Sequence, residues 1–297
     1  MKLILSRKGV DSSAGGFASP IFPDGSMLSI PIPDKRATLR YRQINCAAVD
    51  VADPKRTIGR LVKDLSGGKV IGTHRVHLDP DLEERALVRS IGWQPLFGQC
   101  GAAQSHLHSC GVGAGDLFLF FGWFRQVEYH ARRWRFVPGA PDQHVIYAWM
   151  QIESVNSVDE LKKDRQLSWA HYHPHAIAAF SGSNVIYKAT KHLTLPAMTG
   201  RTKIKQAGAG VFGHYHNTRC LTDEGCSRSR WRLPLWMHPQ GRDSTLSYHS
   251  DMRRWQRDGE CTLLRSVARG QEFVLDLDHY PEGFNWVRNL LLARVSG

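Results

Sequence analysis

Several signatures are missing from these 297 residues, and each absence removes a class of protein. No segment approaches the roughly 20 consecutive apolar residues that span a bilayer. The strongest apolar run, Leu117 to Phe124, contains a glycine and has the length of a strand. The six cysteines are Cys46, Cys100, Cys110, Cys220, Cys226 and Cys261, and none forms a C-x-x-C pair, which argues against a zinc ribbon. There is no G-x-x-x-x-G-K-[ST], hence no P-loop, and no H-x-E with P-C-x-x-C, hence no zinc deaminase. Gly111-Val-Gly113-Ala-Gly115 is glycine-rich but precedes a strand instead of joining strand to helix, the wrong order for a dinucleotide site. The opening apolar run, Leu3 to Leu5, stops at Arg7 and Lys8, unlike an export signal. A cytoplasmic protein with reduced thiols is the expectation.

What is abundant is positive charge. The net charge is +12, enough to attract polyanions at long range. Residues 201–257 hold eleven Lys or Arg against four Asp or Glu. Arg201, Lys203 and Lys205 recur at strand spacing, as do Arg228, Arg230 and Arg232, the last two flanking Trp231. Alternate strand residues share a face, so each trio is a candidate row of cations along a phosphate backbone. A solvated edge strand would carry the same pattern. DNA is the expected partner.

Hydrophobic patterning divides the chain into α+β elements. LILS near the start, Phe118 to Phe124, His144 to Val155, Asn184 to Ala189 and the alternating stretch Thr262 to Leu277 read as strands. Thr57 to Leu65, Leu82 to Ile91 and Trp286 to Val295 read as helices. Without a βαβα alternation, the expected fold is one α+β domain over 1–297 with a mixed or antiparallel central sheet. The Gly-Asp turn at 115–116 before an aromatic strand has the look of PUA-like base-reading domains.

The loop leaving the first strand, SRKGVDSSAGG, is the candidate site. It sets Arg7, Lys8, Asp11 and Ser12 beside a glycine pair. Nearby cations favour an ionised Asp11, able to activate water or stabilise a sugar cation; capping the following turn is its structural alternative. Arg7, Ser12, Gln104, His106, Trp123, Arg125 and His173 are the candidate base-binding residues. Histidines also fall into H-x-H pairs (His106 and His108, His173 and His175). His77-x-Asp79 with a distant His outlines a facial triad, but Pro80 fits that context poorly. No metal and no cofactor is expected, and these histidines read as hydrogen-bonding groups.

Four strings taken together resemble the third nucleotide modification associated domain family: LSRKGVDSSAGG with ASPIFPDG, HLDPDL at 77–82, GVGAGDLFLFFGWFR at 111–125, and WRLPLW at 231–236. The resemblance implies a modified nucleobase as substrate or ligand. It further suggests an antiphage DNA glycosylase that removes glucosylated hydroxymethylcytosine. On that reading Asp11 and Lys8 are catalytic, Trp123 stacks on the flipped base, and the 201–257 stretch grips phosphates. A transferase that builds the modification, or a non-catalytic reader, are the alternatives; no donor-nucleotide fingerprint supports the first.

Overall fold

The computed structural model describes residues 1–45, 57–197, 200–268 and 270–292, with side chains described except over 197–205. Cys46 lies outside the described residues. In chain order the strands are β1 (Lys2–Arg7), β2 (Ser19–Ile21), β3 (Ile32–Pro33), β4 (Val76–His77), β5 (Leu96–Cys100), β6 (Leu117–His130), β7 (Arg133–Phe136) and β8 (Gln143–Ser157). They continue as β9 (Asn184–Ala189), β10 (His192–Ala197), β11 (Gly200–Ala207), β12 (Ala209–Val211), β13 (Arg230–Pro234), β14 (Trp255–Asp258), β15 (Cys261–Arg265) and β16 (Glu272–Asp276). The helices are α1 (Ile58–Leu65), α2 (Gly101–Ser109), α3 (Val158–Lys163), α4 (Pro174–Ile177) and α5 (Glu282–Leu292).

The chain is α+β around one open, mixed sheet, ordered β16-β1-β6-β8-β9-β5, with β2, β7 and β12 attached. Strand β1 runs parallel to β6 and antiparallel to β16. Strands β6 and β8 pair antiparallel at the centre of this sheet, with a bulge between Phe120 and Phe121. Both faces are covered, so β6 and β8 are apolar without alternation over their first halves. The Gly-Asp turn is a structural tie: Asp116 Oδ1 accepts from Lys2 N at 2.7 Å and Oδ2 from Gly113 N at 2.9 Å, locking the start of β6 to β1.

Helix α1 forms as its sequence predicts. Thr57 caps it, and Ile58, Leu61, Val62 and Leu65 at helical spacing face a second core with Tyr41, Val76 and Trp134. Two expectations fail. Leu82 to Ile91 forms only a single 3-10 turn, Glu84–Ala86. Its carbonyls are claimed instead by Arg89, which donates to Glu83 O and Glu84 O and pairs with buried Asp81 at 2.6 Å. Thr262 to Leu277 is not one strand but two: β15 joins the small sheet β13-β15-β14, and β16 edges the main sheet. The break includes Gly270, at φ +97°.

The main sheet curls until its ends meet. Strands β5 and β16 end the strand order on opposite sides, yet Gln99 Nε2 on β5 donates to Glu272 Oε1 on β16 at 2.5 Å. Phe97 of β5 packs edge-on against Phe118 and Phe120 of β6.

Candidate functional site

Strand β1 buries Leu3 through Ser6 and then delivers Arg7 and Lys8 to the mouth of the curled sheet. Lys8 Nζ pairs with Glu272 Oε1 at 2.7 Å and lies 4.7 Å from the Phe97 ring centre. Glu272 is 1% exposed. Its Oε1 thus takes both Lys8 and Gln99, while Oε2, like Ser6 Oγ on the paired β1 residue, is buried with no hydrogen-bond partner among the described residues. A carboxylate oxygen and a hydroxyl left unmatched in one interior are unusual.

Arg7 leans the other way, donating to Ala268 O at 3.0 Å and Gly270 O at 2.7 Å. Burial pulls its guanidinium below its usual value, opposed by the charge of Asp11. Asp11 Oδ1 accepts from Ser13 N (2.7 Å), Ser13 Oγ (2.7 Å) and Ala14 N (2.8 Å), so it does cap its turn. Its Oδ2 accepts no hydrogen bond among the described residues. Arg228 spans the mouth: its guanidinium lies 4.1 Å above the half-buried Trp123 ring and donates to Ser12 Oγ. Asp142 Oδ1 accepts from Trp123 Nε1 at 2.8 Å and sets the ring's orientation. Buried His144 lies within reach of both cations. Burial, then Arg228 and Arg7, hold its imidazole down at about 3.

Arg7, Lys8, Asp11, Ser12 and Trp123 therefore gather at the end of β1, joined by Arg228 from far along the chain. The other sequence candidates lie elsewhere or are otherwise engaged. Gln104 is buried and accepts from Tyr187 OH at 2.7 Å. His106 Nε2 lies 2.9 Å from Ser247 Oγ, joining α2 to the segment between β13 and β14. Arg125 lies 5.4 Å from the Phe136 ring centre. Trp231 is fully buried among Phe121, His144 and Phe273, so its face is not available to a base. Arg230 and Arg232 share Asp223, at 3.6 and 2.7 Å, and Arg232 also pairs with Asp258 at 2.6 Å. These two are part-neutralised, unlike a free cationic row. Arg201, Lys203 and Lys205 occupy alternate backbone positions of β11, in the β10–β11 hairpin; their side chains lie outside the described residues.

A second polar cluster sits on the far side of β5. His77 on β4, Asp79, and His173 and His175 at α4 converge there. Asp79 Oδ2 is 3.6 Å from His77 Nε2 and 3.5 Å from His175 Nε2; Oδ1 is 3.4 Å from His173 Nε2 and accepts from Gly98 N at 2.9 Å. Burial alone would raise the Asp79 carboxyl, but the imidazoles of His173, His77 and His175 around it hold it far below the usual carboxylate range. Burial holds His175 down at about 4, against the pull of Asp79. Gly98 is required here: a Cβ would stand 2.3 Å from His175 Cδ2. The two clusters adjoin. Cys100, whose thiol burial pushes up, feels Arg36 and Lys8 on one side and Asp79 on the other. A small cavity of about 60 Å³ is lined by Gly9, Ser29, Asp79, Pro80, Tyr147 and Phe212.

Glu272 and Gln99 escaped sequence reasoning; the only signal was a charged or amide residue in an otherwise apolar strand. Asp34 and Asn184, which hold His77 and His175, left no signal at all.

The family model for nucleotide modification associated domain 3 matches residues 2–276. No curated protein and no solved structure matches.

Proposed function

This chain belongs to the nucleotide modification associated domain 3 family, and on that premise we propose that it is a DNA glycosylase that excises a bulky modified base, glucosylated hydroxymethylcytosine first among candidates. The observation that carries the reading is the gathering of Arg7, Asp11, Ser12, Trp123 and Arg228 at one strand end. It joins cations for phosphate, a flat face for a base and a carboxylate for a sugar cation. Extruding a nucleotide costs a few kcal/mol, repaid by such contacts. Arg228 and Arg7 hold the backbone, and Trp123 stacks on the base once Arg228 swings to a phosphate. The C1′–N bond breaks with its electron pair leaving on the base, which takes up a proton. Asp11 Oδ2, held in place because Oδ1 is fixed in its turn, faces the oxocarbenium-like sugar and accepts a proton from the attacking water. Lys8 Nζ is held by Glu272 Oε1 at 2.7 Å and is not presented to the sugar as a nucleophile. The reading is therefore simple hydrolysis to an abasic site.

The test is phage DNA carrying glucosylated hydroxymethylcytosine, incubated with protein and treated with alkali. Strand breaks and free modified base, detected by mass spectrometry, are expected. DNA retention without breaks would mean a non-catalytic reader and would overturn the proposal. Asp11→Asn should release base roughly 10²–10³-fold more slowly while still retaining DNA; an unchanged rate would remove Asp11 from the mechanism.

A further inference from the structure

We propose that His77, Asp79 and His175 form a mononuclear site for a divalent transition-metal ion. Their ligand atoms lie within 4.8 Å of one another, and hydrogen bonding fixes what those atoms present. Asp34 Oδ2 is 3.2 Å from His77 Nδ1, and a carboxylate only accepts, so the His77 proton resides on Nδ1. Asn184 Nδ2 donates to His175 O at 3.0 Å, which turns its Oδ1 toward His175 Nδ1 at 2.7 Å, so that proton resides on Nδ1 too. A neutral imidazole held in this way carries its lone pair on Nε2, and both Nε2 atoms face the same carboxylate oxygen, Asp79 Oδ2.

Three lone pairs converging in a buried place repel one another unless a cation lies between them. The spacing suits one. With metal–ligand bonds of about 2.1 Å, separations of 3.5 and 3.6 Å subtend angles of about 115°, close to tetrahedral. The outer contacts are those that orient metal ligands elsewhere: a carboxylate behind one imidazole and an amide oxygen behind the other.

His173 supplies an independent observation. It is fully buried, and its Nε2 has no hydrogen-bond partner among the described residues, although it lies 3.4 Å from Asp79 Oδ1. Its Nδ1 accepts from His175 N, so Nε2 bears the proton. The Gly98 N–H occupies Oδ1, with His173 Nε2 3.4 Å from the same oxygen, and Oδ2 is left to the two imidazoles. Two imidazoles and a carboxylate, with no thiolate, suit Zn²⁺, Fe²⁺, Mn²⁺ or Co²⁺. Three protein ligands leave a coordination position for water, and Asp79 also lines the small cavity of about 60 Å³.

The experiment uses the full chain without DNA, so its outcome is separate from that of base excision. Protein stripped with EDTA and freed of chelator is titrated with Co²⁺. One Co²⁺ per chain is expected, with a visible d–d band and two solvent-exchangeable, paramagnetically shifted imidazole N–H signals in the proton NMR spectrum, from His77 and His175. The wild-type titration is decisive by itself, whether or not variants fold. Asp79→Asn and His175→Gln should abolish the band, and Asn184→Ala should weaken Co²⁺ binding 10–100-fold. Failure of the wild type to take up Co²⁺, or uptake unchanged in folded Asp79→Asn, would overturn the site and leave a buried imidazolium–carboxylate cluster.

Discussion

Replacing Lys8 by Met isolates the ion pair between the exit of β1 and β16. The Lys8 and Glu272 side chains are 10% and 1% exposed, and their charged atoms stand 2.7 Å apart. Methionine roughly matches the lysine stem, so packing on Phe97 survives while the ammonium is lost. Glu272 is then left with Gln99 on Oε1 and no partner on Oε2. Breaking a buried pair by removing one partner costs about 3–5 kcal/mol, because the remaining charge has no compensation. A chain of this length should lose about 2 °C in Tm per kcal/mol, so the melt should fall by about 6–10 °C. Replacing both members by apolar residues of similar volume is near neutral. Lys8→Met/Glu272→Met should therefore recover most of the loss, with a coupling energy of about 3 kcal/mol between the sites. Urea denaturation of the four proteins at neutral pH closes the cycle. A Lys8→Met cost below about 1 kcal/mol, or strictly additive single variants, would show that solvent screens the pair and that it does not tie the exit of β1 to β16.

Acid should unfold the protein through its buried imidazoles. His249 Nδ1 is 2.9 Å from Ser247 O, and its Nε2 accepts from Val267 N, so both nitrogens are committed in the neutral form. Burial holds it at about 4. An unfolded imidazole protonates near 6.5, so this stability is present above that pH and is lost as pH falls from about 6.5 to about 4, by about 3 kcal/mol; urea midpoints across that window, with His249→Asn as control, check it. Gly98→Ala should drive a methyl into His175 and cost about 1–3 kcal/mol; the measured ΔG of unfolding should fall, and Co²⁺ uptake with it. Arg228→Ala should weaken DNA binding and lower the slope of log K against log salt by about 1, read by fluorescence anisotropy at several salt concentrations; an unchanged slope would take Arg228 off the phosphates.

The strands and α1 were legible because their cause is local. Apolar runs such as Phe118–Phe124 and Asn184–Ala189 have little choice but to bury themselves as strands, and Thr57 with Ile58, Leu61, Val62 and Leu65 carries a cap and a stripe within one segment. The loop after β1 was legible for the same reason: Arg7, Lys8, Asp11 and Ser12 are neighbours in the chain. The failures have distant causes. Leu82–Ile91 has helical composition, but Arg89 draws its carbonyls away. Trp231 sits between arginines in sequence, yet strand alternation turns it inward while Arg230 and Arg232 face Asp223. Composition and spacing determined a basic, α+β protein with a charged first loop. Only the curled sheet decided that Gln99 meets Glu272, and that His77 and His175 bring lone pairs to one oxygen of Asp79, since a side chain's partner across some 100 residues is set by backbone geometry that no local pattern encodes.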